Sequence, residues 1–414
     1  MYFFIAVTYV STGLFFYKIY LFHLVLLLVL GATPIFISMS KFKSADFILR
    51  KSNLFVTIWF LFAVFSNLWS EDKVLSSFYS IIIFFIFSIF YIVNNFITNQ
   101  KKLEITIKIL FTLFIIELFL SLLESYTSFR WPFSPLSKYS YIFGVNQEVE
   151  FSIDKMDYLF SMPTGFRANP NNLSIVLTMF LPFVLALKKI HYRILGSLSI
   201  VICIINSSSR GVLIAFFLGI ILFYGLKKMK FLFAIFIVSI FSLFMLISFE
   251  AYFKNNQNEK IREGYSSIEV LLKYIKFNEI GSDGGASLDV RKALIHNGIQ
   301  SFKNNPILGI GAGNSTILSN FSIHNFWLEI LVDYGIILFL FFLYFYFSTI
   351  YKLFRVSKYS KNEYLKEFSY CFFISLLITA LSIVVASSVI YLLPFWLMLA
   401  ISISLINVDK NQNI

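Results

Sequence analysis

The chain is short of charge, of histidine and of cysteine. Only 14% of its 414 residues are charged, against about a quarter in soluble domains, which excludes an ordinary soluble domain. Its 2 cysteines, Cys203 and Cys371, both sit inside apolar runs, so a disulfide framework is not expected. It has 4 histidines, and no second His or Cys stands at ligand spacing from His324, so no metal site is expected. The glycines of "NNPILGIGAGNS" lack the βαβ surroundings of a dinucleotide fingerprint and read as a pliable loop delivering the next span. There is no low-complexity tract and no internal repeat. The opening "MYFFIAVTYVSTGLFFYK" lacks a charged leader and a small-residue cleavage site, and reads as a first span rather than a removed signal peptide.

What is present is apolar. The chain is 58% hydrophobic and 20% aromatic, with 53 phenylalanines and a mean hydropathy of +0.79. Apolar stretches of membrane-spanning length recur along it. The expected fold is therefore an all-α polytopic membrane protein, a single integral membrane domain over residues 1–414. Twelve spans are predicted, at about 2–17, 21–39, 53–69, 74–97, 103–123, 170–187, 191–207, 210–226, 229–249, 325–351, 367–386 and 388–406.

The net charge of +12 is the kind of excess that can attract nucleic acid, but its distribution argues otherwise. Lys41, Lys43, Arg50 and Lys51 form one cluster, Lys101 and Lys102 a second, and Lys188, Lys189 and Arg193 a third. Lys227, Lys228 and Lys230 follow, then "YKLFRVSKYSKNEYLKE". These alternate with "SED", the 124–169 segment, "SSSR" and the 250–324 segment. The positive-inside rule then puts both termini in the cytoplasm and the two long loops outside, and leaves no reason to expect nucleic acid. The 250–324 loop, between predicted spans nine and ten, is too long for a connector and carries helical patterns. In "SLDVRKALIHNGIQSFKNNP", Ser287 is the expected N-cap, Asp289 lies in the first turn, and Pro306 ends the helix.

A few polar residues stand at the mouths of these spans. Arg210, in "INSSSRGVLIAFF", sits at a helix start, where the dipole disfavours a cation. Either it snorkels to the interface or an anion compensates it, and phosphate fits a guanidinium with two parallel bonds. Arg291 stands near the start of the outer-loop helix, with His296 read as surface. In "PTGFRANPNNL", Asn169 suits the N-cap and Pro170 the first helical position. That helix start, with Arg167, could cap and nothing more, or could hold an anion or sugar hydroxyls. His324 precedes Asn325 at the doorway of a long apolar run. It is either structural or a neutral imidazole poised as a general base, the side chain's ordinary pKa lying near 6.5. A helix running through it would turn Glu329 and Asp333 to another face. Glu117 is the clearest mid-span charge.

Four pieces resemble the O-antigen ligase and polymerase superfamily of bacterial surface-polysaccharide enzymes. They are "GFRANPNNL", "SSSRGVLIAFFLGIILF", "SLDVRKALIHNGIQSFKNNPILGIGAGNS" and "HNFWLEILVDYGII", in the family's order over about residues 163–340. Gly335 falls ten residues past Asn325, as in the family; Leu338 stands where ligases often carry a second glycine.

The resemblance implies a glycosyltransferase in the bacterial cytoplasmic membrane that acts at its outer face. Its donor would be a polyprenyl-pyrophosphate-linked oligosaccharide, its other partners a glycan acceptor, membrane lipid and a chain-length regulator protein. No cofactor and no metal are implied. Arg210 and Arg291 would neutralise the pyrophosphate leaving group. His324 would take the acceptor's proton, with inversion at the anomeric carbon. Arg167, Asn169 and Asn325 would contact substrate. "FRANPNN" and Leu338 favour a polymerase of repeat units over a ligase acting on lipid A core. The alternative in another class is a flippase for lipid-linked oligosaccharides, which would favour charges lining a path through several spans.

Overall fold

The computed structural model describes residues 1–16, 19–39, 51–134, 137–143, 162–226, 282–318, 323–384 and 389–412. The helices among them are α1 (Tyr2–Val10), α2 (Leu21–Met39), α3 (Lys51–Ser66), α4 (Lys73–Phe96), α5 (Gln100–Tyr126) and α6 (Pro170–Leu185). They continue with α7 (Ile190–Asn206), α8 (Arg210–Gly225), α9 (Ser282–Asn304), α10 (Phe326–Tyr359), α11 (Glu363–Ser382) and α12 (Leu393–Gln412). One two-residue hairpin, Phe15–Phe16 with Ile19–Tyr20, accompanies them. The all-α expectation holds for the described residues.

Start signals explain most of the boundaries. Asp72, Asn99, Asn169, Asn325 and Asn362 each accept a backbone N–H of the first turn with their side chains. Such caps satisfy amides that no helical carbonyl can reach. Pro170 at the first helical position of α6 needs no donor there.

The count of twelve spans is not reproduced. Among the described residues, five helices are long and apolar enough to cross a membrane: α4, α5, α10, α11 and α12. Six further apolar helices are shorter, and the expected span 229–249 lies outside the described residues. The first expected span stops early: α1 ends at Val10 and gives way to a 3-10 turn, Ser11–Gly13. The reason is packing. The Thr12 hydroxyl donates to the Phe166 carbonyl at 2.9 Å, and Trp131 Nε1 donates to the Gly13 carbonyl at 2.7 Å, so the chain bends to meet two loops. Helix α9 also begins at Ser282 rather than near Ser287, with Ser282 and Asp283 offering the same kind of start signal, and it stops at Asn304 before Pro306. The segment 250–281 lies outside the described residues.

One helix is long for a reason. Helix α10 covers 34 residues, about 51 Å, well beyond an apolar core of about 30 Å. It is two pieces: Gly335 breaks it, with φ 73° and ψ 178°. A side chain at Gly335 would be strained by that φ and would overlap the Ile307 carbonyl.

Helix directions follow from contacts between neighbours. Ser375 Oγ donates to the Met179 carbonyl at 2.7 Å and Cys371 Sγ to the Pro182 carbonyl at 3.6 Å, so α11 runs antiparallel to α6. Tyr370 Oη donates to the Phe223 carbonyl at 2.6 Å, and a methyl on Gly219 would lie 3.2 Å from Ile378 Cγ2. So α11 is antiparallel to α8 as well. The starts of α6 and α8 therefore lie at the end of the bundle where α11 stops.

Candidate active site

That end gathers most of the polar residues singled out by sequence. Ile383, just past α11, accepts a hydrogen bond at its carbonyl from Phe326 N at 3.2 Å; Trp327 Nε1 donates to the Ala380 carbonyl at 3.0 Å. These two bonds seat the start of α10 on the end of α11. Asn169 caps α6, Arg210 opens α8 and His324 precedes α10, so all three share this end. Helix α9 rests beside them: a methyl on Gly298 would lie 3.1 Å from Ile323 Cδ1 and 3.3 Å from Leu328 Cδ2. The helix carrying Arg291 thus touches the residues on either side of His324.

His324 is half-buried and has φ 54°, left-handed and sparsely populated for a side-chain-bearing residue. It is not helical; α10 starts at Phe326, with Asn325 Oδ1 accepting from Leu328 N at 3.2 Å. The expectation that helical geometry turns Glu329 away from His324 therefore loses its premise, because no helix runs through both. Glu329 and Asp333 are buried. Arg210 is half-buried.

Arg167 is turned inward instead of offering its charge at the helix start. It is 2% exposed and forms a two-pronged pair with Glu117, Nε to Oε1 and Nη2 to Oε2, each at 2.8 Å. Its Nη1 donates to the Tyr9 carbonyl at 2.7 Å and to Ser11 Oγ at 3.1 Å, and Tyr9 Oη donates to Glu117 Oε2 at 2.6 Å. Two charges in an apolar bundle must find each other, and a planar guanidinium matches a carboxylate bidentately. Seven residues along α5, on the same face, Glu124 accepts from Thr164 N at 2.7 Å, Gly165 N at 2.8 Å and Trp131 N at 2.9 Å. Arg130 lies 3.6 Å from Glu124 and also donates to the Met162 carbonyl. Burial lowers the pKa of Arg130, and the Glu124 charge works against that shift. Glu117 and Glu124 together fasten the loop that enters α6. Asn169 caps that helix, its Oδ1 accepting from Asn171 N at 2.8 Å.

The glycine run is pinned, not pliable. Ile310 N and Gly311 N donate to the Val332 and Asp333 carbonyls, both at 3.0 Å, and Ile336 N donates to the Pro306 carbonyl at 2.8 Å. These bonds satisfy groups that the break at Gly335 releases, which an apolar surround requires. The Asp333 carboxylate takes Gly313 N at 3.0 Å and Ser315 N at 2.8 Å. Ala312 N donates to Ser66 Oγ at 3.1 Å, and Asn314 Oδ1 accepts from Asp72 N at 3.0 Å. A side chain on Gly313 would fall into the Tyr79 ring. Asp333 and Gly335 hold this loop, a role the sequence reading did not give them: it turned Asp333 to another face and used Gly335 for the resemblance alone. Their available signal was an acid and a glycine, two apart, downstream of a glycine-rich loop.

A family model described as O-Antigen ligase matches residues 195–343, from within α7 to beyond the break in α10. Arg210, Arg291, His324 and Asn325 fall inside the matched segment, while Arg167 and Asn169 precede it. No curated protein matches the chain.

Proposed function

We propose, from the match of residues 195–343 to a family model described as O-Antigen ligase, that the chain is of the O-antigen ligase and polymerase superfamily and polymerises polyprenyl-pyrophosphate-linked oligosaccharide repeat units at the outer face of the bacterial cytoplasmic membrane. The single observation that supports this reading most is the shared end of the bundle. One base and one cation stand at helix mouths there, with the helix that carries a second cation packed against His324's neighbours. That arrangement suits a donor whose lipid stays among the helices while its sugar reacts at the rim.

In the proposed reaction an acceptor hydroxyl attacks the anomeric carbon of the donor sugar from the side opposite the phosphate. The new carbon–oxygen bond forms as the carbon–oxygen bond to the diphosphate breaks, and the configuration inverts. His324 takes the hydroxyl proton. Arg210 and Arg291 hold the charge that develops on the departing polyprenyl diphosphate, stabilisation of the oxyanion type. Asn325 fixes where α10 begins and hence where His324 stands; Asn169 does the same for α6.

A ligase would use the same chemistry with lipid A core as acceptor, and the matching family model is described as O-Antigen ligase. The flippase alternative rests on mid-span charge, and its clearest example, Glu117, is paired with Arg167 in the described residues, which supports a structural role for it.

The test is transfer by the purified protein in nanodiscs, supplied with lipid-linked repeat units. A glycan ladder with release of polyprenyl diphosphate is expected; transfer only when lipid A core is added makes it a ligase. His324→Gln should lower the rate about 10²- to 10⁴-fold. Wild-type turnover should fall as the medium is acidified, because a protonated imidazole cannot accept the proton. A folded His324→Gln protein that works at the wild-type rate removes the general base, and movement of the lipid-linked glycan without release of diphosphate makes the protein a transporter.

A further inference from the structure

Ser209 stands at the N-cap of α8, the position where a serine ordinarily accepts an amide of the first turn. Among the described residues it makes no side-chain cap bond, and its Oγ is buried without a hydrogen-bond partner in a residue that is 4% exposed. A hydroxyl withdrawn from water with nothing to bond is costly, and such groups call for an explanation. The backbone suggests one. Ser208 holds φ 53°, left-handed, so the chain enters α8 through a sharp bend of serines. Ser209 is thus the residue at the mouth of α8, immediately before Arg210.

A second helix start lies at the same level. Helices α6 and α8 are both antiparallel to α11 and so parallel to each other. A methyl on Gly219 would lie 3.1 Å from Leu181 Cδ2. Gly219 and Leu181 are about 14 and 16 Å from the starts of their helices at 1.5 Å per residue. The two starts are thus level to within about one turn. Each presents partial positive charge, about half an elementary charge by alignment of its peptide dipoles.

We infer that the starts of α6 and α8, with the Ser209 hydroxyl as a specific donor, form a seat for a diphosphate. The inference rests on the proposed function and adds a residue to it: Ser209 Oγ–H donates to a non-bridging oxygen of the donor's diphosphate while Arg210 supplies the charge. The phosphate then provides the acceptor that the hydroxyl lacks among the described residues. Anions are favoured at helix starts for the same reason that a bare cation there is not.

The experiment is calorimetric titration of the full-length protein in nanodiscs with inorganic pyrophosphate, beside thermal unfolding of the same samples. Ser209→Ala should weaken pyrophosphate binding about tenfold, the loss of one hydrogen bond to a charged group. Its unfolding midpoint should stay at the wild-type value, because no cap bond is lost. Ser209→Thr, which keeps the hydroxyl, should bind as wild type does. Arg210→Ala should bind much more weakly than either. If Ser209→Ala binds normally while Arg210→Ala does not, the seat is overturned and the proposed function stands. If Ser209→Ala lowers the unfolding midpoint with affinity unchanged, Ser209 is a helix cap and the inference again fails. If the wild-type protein does not bind pyrophosphate, or Arg210→Ala binds it equally well, the failure belongs to the proposed function itself.

Discussion

Glu117 and Asp333 are both fully buried carboxylates on apolar helices, and each gathers the loop that leads to a helix start at the His324 end. Glu117 works through a countercharge: Arg167 closes on it with two bonds, and the loop 164–167 comes along. Asp333 works through backbone alone, taking Gly313 N and Ser315 N. The difference follows from what each loop brings. The loop before α6 carries an arginine, and an arginine inside a membrane protein needs a partner in place. The glycine loop carries no charge but many amides, brought close because its glycines let backbone meet backbone. So one latch is an ion pair with strict matching of charge, and the other is a nest for a carboxylate. The two should break in different ways.

The largest effect is expected at the ion pair. Arg167→Met leaves Glu117 buried without its cation, which should cost about 3–5 kcal/mol and most of the folded protein. Replacing both, Arg167→Met with Glu117→Met, should recover much of the loss, because a buried pair exchanged for apolar groups of similar size is often close to neutral. Unfolding midpoints in detergent and monodisperse yield would show this. If the double variant is as damaged as the single one, Glu117 holds the loop through Tyr9 and the backbone rather than through Arg167.

Next in size is the break in α10. Gly335→Ala places a methyl at φ 73° against the Ile307 carbonyl. That backbone conformation, positive φ with ψ near 180°, is essentially reserved for glycine and alone costs about 1–3 kcal/mol for another residue, and the overlap adds to it. Because the glycine loop is tied to this point, the damage should reach His324: transfer should fall further than thermal stability does. Equal loss of both would mean that the break serves folding only.

How far the sequence anticipated this depends on the kind of signal each feature leaves. Capped helix starts were legible: Asn169 with Pro170 was read as a start and is one, because the requirement is local. The helices expected between residues 21 and 123 were located to within a few residues for the same reason, though two of the four, α2 and α3, are counted among the shorter apolar helices. Nothing local joins Glu117 to Arg167, fifty residues apart; the available hint was that two charges at membrane depth seek each other. The Gly335 break was invisible to hydropathy, since "ILVDYGIILF" stays apolar across it, and α10 reads as one run. Ser11–Gly13 ended α1 early through contacts with Phe166 and Trp131, which are distant in sequence. The expected placement of Glu329 lost its premise for a geometric reason: it required helix at His324, where φ is 54°.

The smallest of these effects, and the one that most sharpens the contrast between the latches, is expected from Asp333→Asn. The change keeps the shape and one oxygen but turns the second oxygen into an N–H donor. Of the two amides now held, Gly313 N and Ser315 N, one would keep its acceptor and the other would face a donor. A buried amide left without an acceptor costs about 1–3 kcal/mol, less than the unpaired charge at Glu117. The main contacts of the break, Ile310 and Gly311 to the carbonyls of residues 332 and 333, are backbone to backbone and survive the change. The variant should therefore fold, with a modestly lower unfolding midpoint, and hydrogen exchange should rise at 313–315 and hardly at 310–311. Exchange rising equally over both would mean that the carboxylate, rather than the ladder at the break, carries the loop, and the two latches would then be alike in depending on a single buried carboxylate.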